Sequence, residues 1–313
     1  MWNKPPVSTA LFTHDVCVLH EISPGHPEQP ARIQAVTDQL KADNLYNDLL
    51  HREAPLAVLD DLARAHGNAH VDHIVASSPS SGSQQLDPDT AMNPHSLDAS
   101  RRAAGAGIEA VTQVLQGEYT NAFCAVRPPG HHAEKEQAMG FCFFGSVAVA
   151  ALHALDVLGL DRVAIVDFDV HHGNGTEDLV VNDKRILFCS SFQHPFYPGY
   201  FRESVSGQRI NVPLPAGTGS ENFRTAIKTQ WMPELDAFKP QLLLISAGFD
   251  AHSDDPLASM ELGDDDFEWI TRELADIADR HAGGRIVSML EGGYSLAALG
   301  RSAARHTQVL MQL

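Results

Sequence analysis

Residues 162–175 read RVAIVDFDVHHGNG, and both a strand and a cluster of polar side chains can be predicted from them. The first five residues form an apolar, β-branched run, which is typical of a buried strand in a parallel sheet. Side chains at i and i+2 share a face of a strand, so Asp167, Asp169 and His171 are predicted to point the same way from its carboxyl end. Open α/β sheets bind ligands at that edge. The favoured interpretation is a divalent metal site, with zinc as the leading candidate, and the alternative is a solvated exit from the strand.

The composition indicates a globular chain that can build a large core. Of its 313 residues, 43% are hydrophobic and 20% are charged. The net charge of −18 argues against nonspecific binding to nucleic acid or to an anionic membrane. The same charge would suit a cationic substrate, or it would simply keep the protein in solution.

The four cysteines, Cys17, Cys124, Cys142 and Cys189, contain no CxxC pair. They are predicted to be reduced thiols, mostly buried, rather than a disulfide framework. The first six residues, MWNKPP, lack the apolar segment of a signal peptide. No apolar run approaches the ~18 residues of a membrane span. We therefore expect a cytoplasmic protein without a membrane partner.

Apolar runs that predict buried strands alternate along the chain with segments of helical character. Strands are predicted at 8–13, 122–126, 162–166, 185–190, 241–247 and 285–290. Helices are predicted at 96–116, from just after residues 140–145 to about residue 158, and at 221–238. Two more are predicted around the apolar positions Ile33 to Leu40 and Phe267 to Ile277. The segments 77–95 and 192–220 are predicted to be long loops. This alternation predicts an α/β fold in which one parallel sheet is flanked by helices, with residues 1–313 forming a single domain.

Four of the predicted strands end in unusual polar groups. These are His131-His132, Asp167 to Asn174, Asp250 and Tyr294. Each has an ordinary explanation on its own, such as a structural histidine, a helix N-cap aspartate or a packed tyrosine. Because parallel strands have their carboxyl ends at one edge of the sheet, the four groups can converge there. Their coincidence favours a functional site.

Asp169, His171 and Asp250 offer three protein ligands and leave one metal position open, which is the pattern of a catalytic site. A metal held in this way lowers the pKa of water and polarises a carbonyl group. Hydrolysis also needs a general base, a proton donor for the leaving group and a hydrogen-bond donor for the oxyanion. His131 and His132 can supply the first two, and Tyr294 can supply the last.

These residues resemble the zinc-dependent histone deacetylase family, together with its bacterial amidohydrolase and acetylpolyamine relatives. The resemblance extends over nearly the whole chain and is carried by residues 25–32, 127–132, 140–142, 167–175, 246–250 and 291–294. It implies the arginase/deacetylase-like fold, with zinc bound by Asp169, His171 and Asp250. It also implies a metal-dependent hydrolase that acts on linear amide C–N bonds.

The family pattern implies a role for each remaining polar residue. His131 would pair with Asp167. His132 would pair with Asn174, where class I enzymes carry an aspartate and class II enzymes an asparagine. By the same resemblance, His132 would be general base and then general acid, with His131 as an electrostatic partner. Tyr294 would hydrogen-bond the substrate carbonyl and the tetrahedral oxyanion.

The family's substrate tunnel has aromatic walls that grip the lysine methylenes, and Gly140 and Phe141 match one wall. Tyr197 stands where the second wall is usually phenylalanine, and its added hydroxyl bears on the preferred acyl group. Leu257 matches a rim position that is leucine in lysine-directed class IIb enzymes and glutamate in the polyamine-directed vertebrate enzyme. Arg32 matches a buried arginine near the family's acetate exit channel, although a surface position is equally compatible with the sequence.

The resemblance further implies a potassium ion bound through Asp167, Asp169, His171 and Ser190. The expected substrate is an acylated lysine in a peptide or protein, and homo-oligomerisation is left open. Three alternatives stay open at this point: an acetylpolyamine deacetylase, a non-catalytic acyl-lysine binding module, and a binuclear manganese ureohydrolase such as arginase. The last of these needs an aspartate where this chain has Gly173.

Overall fold

The computed structural model describes residues 7–312. Residues 1–6, where we expect no signal peptide, and residue 313 lie outside the described part of the chain. The strands are β1 (Thr9–Thr13), β2 (Leu50–Glu53), β3 (Gln84–Asp87), β4 (Thr90–Met92), β5 (Asn121–Cys124), β6 (Val163–Asp167), β7 (Ile186–Gln193), β8 (Arg209–Leu214), β9 (Leu242–Ala247) and β10 (Ile286–Leu290).

The α-helices of the described residues are α1 (Ala31–Ala42), α2 (Leu59–His66), α3 (Asn68–Ser77), α4 (Ser96–Gln116), α5 (Ser146–Asp156), α6 (Asn174–Val180), α7 (Ser220–Phe238), α8 (Asp264–His281) and α9 (Leu296–Leu310). Eight strands form one sheet in the order β2-β1-β5-β10-β9-β6-β7-β8. All of its strand pairs are parallel, and β3 and β4 form a separate antiparallel hairpin. The predicted α/β fold with a parallel sheet is confirmed.

Helices cover both faces of the sheet and bury two hydrophobic cores. One core contains apolar side chains from α2, α3, α4 and α5, and the other contains side chains from α1, α7, α8 and α9. Strand β6 shows how the sheet serves both cores, because Val163 and Ile165 belong to the first and Ala164 and Val166 to the second. This explains why its sequence is continuously apolar rather than alternating.

Two predicted loops contain regular structure that the sequence did not reveal. The segment 77–95 contains the β3–β4 hairpin, and the segment 192–220 contains β8. The hairpin strands are short and partly polar, so they carry no clear alternation of apolar residues. Strand β8 lies at the edge of the sheet and includes the exposed Pro213, which an edge strand tolerates. Strand β2 and the helices α2, α3, α6 and α9 were also not predicted.

The strand order explains why the polar groups converge. Strands β5, β10, β9 and β6 are consecutive neighbours in the sheet. The segment after β5 carries His131-His132, the segment after β10 carries Tyr294, and the segment after β9 carries Asp250. The fourth polar group begins at Asp167, the last residue of β6, and continues into the segment that follows. Four carboxyl ends therefore open onto one edge, as the sequence predicted.

Candidate active site

Asp169, His171 and Asp250 form a buried cluster whose ligand atoms all lie within 4.8 Å of one another. His171 Nδ1 is 3.1 Å from Asp169 Oδ1 and 3.2 Å from Asp250 Oδ2. Two carboxylate oxygens and one imidazole nitrogen form a donor set that suits Zn²⁺. The three residues predicted as metal ligands therefore fit a divalent metal ion.

The backbone around the cluster is shaped to receive these carboxylates. Asp169 Oδ1 accepts a hydrogen bond from the His171 amide at 2.8 Å, and Asp169 Oδ2 accepts one from the Gly292 amide at 2.8 Å. A Cβ atom at Gly248 would lie 2.0 Å from Asp169 Oδ2, and one at Gly292 would lie 2.1 Å from Asp250 Oδ2. Both positions therefore require glycine, because any side chain would displace a carboxylate.

The charges of the cluster are strongly coupled. Burial would lower the pKa of His171, but its hydrogen bonds to Asp169 and Asp250 raise that pKa to about 9. Burial and the neighbouring Asp169 carboxylate raise the pKa of Asp250 to about 7. The pKa of Asp169 is lowered despite its burial, because the imidazoles of His131 and His171 favour its charged form. The cluster thus stabilises positive charge at its centre.

His131 forms a buried ion pair with Asp167, with 2.9 Å between His131 Nδ1 and Asp167 Oδ2. Burial would lower the pKa of His131, but Asp169 and Asp167 together raise it well above its usual value. Burial raises the pKa of Asp167. The His131 amide donates to Glu291 Oε2 at 3.1 Å, which fixes the turn that carries both histidines.

His132 differs from His131 in the direction in which its surroundings shift the pKa. Burial and the adjacent imidazoles of His131 and His171 lower the pKa of His132 well below its usual value. Its Nδ1 lies 2.7 Å from Asn174 Oδ1. Its ring is tilted against that of His131, with 4.0 Å between the ring centroids. The two imidazoles therefore differ in how readily they bind a proton, so they are suited to different roles.

Tyr294 is buried beside the cluster, and contacts hold both its backbone and its ring. Its amide donates to Asp255 Oδ2 at 2.7 Å. The Arg32 guanidinium lies over the Tyr294 ring at 5.1 Å from the centroid. Burial and the nearby Asp250 raise the pKa of Tyr294 well above its usual value, so the hydroxyl keeps its proton. It is a hydrogen-bond donor at neutral pH.

Gly140 and Phe141 adopt left-handed backbone conformations beside His132. Their φ angles are +56° and +69°, and the second is unusual for a residue with a large side chain. A Cβ at Gly140 would lie 2.4 Å from His132 Cδ2, so only glycine fits. The hairpin holds this conformation, because the Gly140 amide donates to Asp89 Oδ1 at 3.0 Å and the Phe141 amide to Thr90 Oγ1 at 2.9 Å.

Aromatic rings surround the histidines and the tyrosine. The Tyr197 ring meets the His132 ring edge-on with 5.0 Å between centroids, and its hydroxyl is buried with no hydrogen-bond partner among residues 7–312. Phe196, which the sequence did not single out, stacks on His171 at 5.2 Å. Phe141 packs edge-on against Tyr294 at 6.1 Å. These contacts give the site apolar walls around its polar centre.

Leu257 lies half-buried near this site. Its amide donates to Asp255 Oδ1 at 3.0 Å, and the other oxygen of that carboxylate holds Tyr294. The aspartate thus links the predicted rim position to the tyrosine. The sequence did not single out Asp255, because its partner, the Tyr294 amide, is 39 residues away and nothing near Asp255 in the sequence indicates this contact.

Arg32 is fully buried, and its guanidinium bonds the segment that leads to Tyr294. It donates to the Gly293 carbonyl at 2.7 Å, to the Glu291 carbonyl, and to Glu28 Oε1 at 3.0 Å. Glu28 is shared with Arg127, whose Nε lies 2.5 Å from Glu28 Oε1. The sequence left a surface position for Arg32 open and gave no role to Glu28 or Arg127.

Gly173 bears on the ureohydrolase alternative. A Cβ at this position would lie 2.2 Å from Asp167 Oδ2, so an aspartate side chain has no room here. The second metal of a ureohydrolase would therefore lack its ligand, and the structure favours a mononuclear site.

The predicted potassium ligands are also neighbours. Asp167 and Ser190 are register partners on β6 and β7, and Asp169 and His171 follow β6 directly. Their carboxylate, hydroxyl and carbonyl oxygens are hard donors of the kind that alkali and alkaline-earth cations prefer. This donor set fits the expected ion.

Comparison with known proteins places the chain in a family. A family model described as "Histone deacetylase domain" matches residues 26–310. A histone deacetylase-like amidohydrolase of Pseudomonas aeruginosa is 38% identical over an alignment 313 positions long, which covers 92% of this chain and 82% of that protein. A probable deacetylase of Archaeoglobus fulgidus is 37% identical over 296 residues, with coverages of 92% and 82%. The crystal structure of the HDA15 HD domain is 34% identical, with a TM-score of 0.91, and covers 98% of this chain and 90% of that one.

The fold thus has the arginase/deacetylase architecture, and its buried Asp-His-Asp cluster could hold a metal ion. The chain belongs to the histone deacetylase family and is a hydrolytic enzyme of the deacetylase and amidohydrolase class. This confirms the family that the sequence motifs indicated. Within residues 7–312, the helices are all too short or too polar to cross a membrane.

Proposed function

We propose that this protein is a zinc-dependent amidohydrolase that removes acetyl or other acyl groups from the ε-amine of lysine, with residues 1–313 forming one catalytic domain. The observation that carries the proposal is the buried cluster of Asp169, His171 and Asp250, with ligand atoms within 4.8 Å of one another. It lies beside a neutral His132 and a protonated Tyr294. This combination supplies every group that amide hydrolysis requires.

Zn²⁺ held by Asp169, His171 and Asp250 would supply Lewis acidity and lower the pKa of water. His132 acts as general base, because its lowered pKa leaves the imidazole neutral and able to take a proton. As water oxygen bonds to the acyl carbon, His132 takes the proton. It then gives that proton to the amine nitrogen as the C–N bond breaks. The immediate products are a carboxylic acid and an amine, and transfer of the remaining proton between them leaves a carboxylate and an ammonium group.

His131 stays protonated throughout, because Asp167 and Asp169 hold its pKa high. Its positive charge lies beside His132 and favours a negative charge on the substrate as the carbonyl carbon becomes tetrahedral. Tyr294 donates its hydroxyl hydrogen to the carbonyl oxygen, and the bond strengthens as negative charge develops there. The two residues therefore stabilise the same charge from different positions.

Gly140, Phe141 and Tyr197 form the apolar channel for the substrate's methylene chain. Leu257 gives an uncharged rim, which favours an acyl-lysine in a peptide or protein over an acetylated polyamine. No direct nucleic-acid or membrane partner is proposed. A potassium ion at Asp167, Asp169, His171 and Ser190 would have a structural role. The four cysteines are free and buried, which supports a reducing compartment such as the cytoplasm.

The test is turnover of an acetyl-lysine peptide against N-acetylputrescine and N-acetylspermidine, using zinc-loaded protein with a chelator control. Preference for the peptide is the expected result. Preference for the polyamines would instead assign an acetylpolyamine deacetylase, for which the overall charge of −18 is equally suitable. Absence of chelator-sensitive turnover on all three would favour a longer acyl group, and absence of turnover on a longer-chain acyl-lysine peptide as well would contradict the proposal in favour of a binding module.

The rim assignment is tested with Leu257→Glu and the uncharged control Leu257→Gln. A carboxylate at the rim attracts the ammonium groups of a polyamine. The Glu variant should therefore raise kcat/KM for N-acetylspermidine relative to the peptide, while the Gln variant should not.

A further inference from the structure

The pair of His132 and Asn174 is connected to a carboxylate that the sequence did not single out. Asn174 Nδ2 donates to Glu134 Oε1 at 2.8 Å. The Tyr200 hydroxyl donates to the same oxygen at 2.6 Å and accepts from Asn174 Nδ2 at 3.2 Å. Met139 Sδ is a weaker acceptor, 3.5 Å from Nδ2. We call this chain of contacts, from His132 through Asn174 to Glu134 and Tyr200, the Glu134 network.

An asparagine presents a problem that an aspartate in the same place does not. Both oxygens of a carboxylate accept hydrogen bonds, so either one can orient an imidazole. An amide has an accepting end and a donating end, and either can face the histidine. If Asn174 Oδ1 faces His132, the histidine carries its proton on Nδ1 and keeps the lone pair on Nε2. If Nδ2 faces His132, the proton moves to Nε2 and the imidazole cannot act as a base there.

Glu134 resolves this ambiguity because a carboxylate can only accept. At 2.8 Å it stabilises the donating end of Asn174 and would repel the oxygen end. The Glu134 backbone is itself fixed, since its carbonyl lies 2.9 Å from His66 Nδ1 and its amide donates to the Gln137 carbonyl at 2.9 Å. The carboxylate therefore holds a defined position behind the amide.

We infer that Glu134 is a positioning residue of this enzyme, which fixes the orientation of Asn174 and thereby the proton-accepting tautomer of His132. Glu134 itself does not reach the reacting atoms. This inference rests on the proposed role of His132 as general base. Tyr200 supports the network, because burial and the Glu134 carboxylate raise its pKa and keep its hydroxyl a donor.

The test combines Glu134→Gln with Asn174→Asp in a double-mutant cycle. With Asn174 present, a glutamine at 134 no longer selects one amide orientation. We expect kcat to fall about tenfold with little change in KM, a typical cost for losing a group that orients another. In the Asn174→Asp protein, Glu134 would face a second carboxylate, so the same substitution should raise kcat. This reversal of sign shows that Glu134 acts through the side chain at position 174, and the tautomer of His132, measured below, separates orientation from a merely structural role.

Two controls accompany the cycle. Glu136→Gln removes the same charge from an exposed position on the same loop and should leave kcat unchanged. Tyr200→Phe should lower kcat in the same direction as Glu134→Gln but by less. A Glu134→Gln protein with unchanged kcat, or with the same loss in both backgrounds, would overturn the inference.

Nitrogen-15 chemical shifts of His132 provide a readout that does not need turnover. The unmodified protein should show the proton on Nδ1, and Glu134→Gln should show a mixture of tautomers. If the unmodified protein shows no deacylase activity but the tautomer still shifts, the proposed function fails and the inference on Glu134 stands. An unchanged tautomer with normal turnover would contradict the inference on Glu134 alone.

Discussion

Tyr294 combines, in one side chain, the properties that an oxyanion donor needs. Its pKa is raised well above the usual value by burial and by Asp250, so it keeps its proton. Its backbone is fixed by Asp255, and Arg32 packs on its ring. A donor held in this way does not have to reorganise when charge develops on a substrate, which is what the proposed oxyanion role requires.

We expect Tyr294→Phe to lower kcat about 10²- to 10³-fold, the usual cost of losing one oxyanion donor. Zinc should stay bound, because the predicted ligands are Asp169, His171 and Asp250. The measurement is steady-state turnover of an acetyl-lysine peptide, together with metal content determined on the same sample. Unchanged turnover in a folded, zinc-loaded variant would contradict the oxyanion role.

The sequence identified residues whose signal is local and missed residues whose partners are distant. Asp169 and His171 could be grouped from their spacing along one chain segment, and Asp250 from its place after a strand. Glu291, in contrast, bonds the His131 amide 160 residues away, and Glu134 bonds Asn174 40 residues away. Only the folded structure brings such pairs together, since neither has a periodic or composition signal.

At the scale of elements, the β3–β4 hairpin has a function that its weak sequence signal did not reveal. Thr90 is fully buried, accepts from the Phe141 amide at 2.9 Å and donates to Asp89 Oδ1 at 2.8 Å. The hairpin thereby holds Gly140 and Phe141 at positive φ, next to the proposed substrate channel. A left-handed backbone at a residue as large as phenylalanine needs this kind of external support.

We predict that Thr90→Val raises KM for an acetyl-lysine peptide several-fold. Valine keeps the volume of threonine but cannot accept from the Phe141 amide, and an unpaired buried N–H costs about 1–3 kcal/mol. The matched control is Thr90→Ser, which retains the hydroxyl and should behave nearly as the unmodified protein. Equal kinetics for the two variants would show that the hydroxyl does not hold the channel wall.

Whether an element could be predicted depended on how it is buried. Strands β5, β6, β9 and β10 are covered on both faces, and their continuous apolar runs made them clear. Strand β2 is largely exposed and β8 lies at the sheet edge, so neither carries that signal. Helix α9 packs closely on α1, and a Cβ at Gly300 would lie 2.9 Å from the Ala35 carbonyl. Such a helix is built from small residues, which obscure the apolar periodicity.

At the scale of the whole molecule, the proposed metal site would couple metal binding to folding. The ligands come from two strands' carboxyl ends, β6 and β9, so the site exists only when the sheet is formed. A ligand that binds only the folded state stabilises it by about 2.7 kcal/mol at a hundredfold excess over Kd. We therefore expect chelation to lower Tm, as measured by calorimetry before and after zinc is restored. Asp250→Asn should abolish the zinc-dependent part of Tm, and a zinc response that persists in this variant would argue against the ligand set.

The buried His306 makes the stability of the fold depend on pH, and this dependence can be measured separately from the active site. Its ring is fully buried, with Nδ1 2.7 Å from Thr271 Oγ1 and Nε2 2.8 Å from Ser288 Oγ. The rings of Phe123, Phe168 and Phe249 pack around it, and burial is the one influence on its pKa within the described residues 7–312. Burial accordingly lowers the pKa of His306 to about 3.

Below about pH 6.5 the unfolded chain binds a proton at this histidine while the folded protein does not. Stability is therefore lost as the pH falls from about 6.5 towards 3, by about 1.4 kcal/mol per pH unit from this one residue. His306→Gln keeps hydrogen-bonding groups but cannot titrate, so its free energy of unfolding should fall less steeply than that of the unmodified protein between pH 6 and 5. Urea denaturation of both zinc-loaded proteins across this range measures the difference between the two slopes. Because all other titrating groups are shared by the two proteins, parallel slopes would mean that the folded protein accommodates a charged imidazole in this aromatic environment.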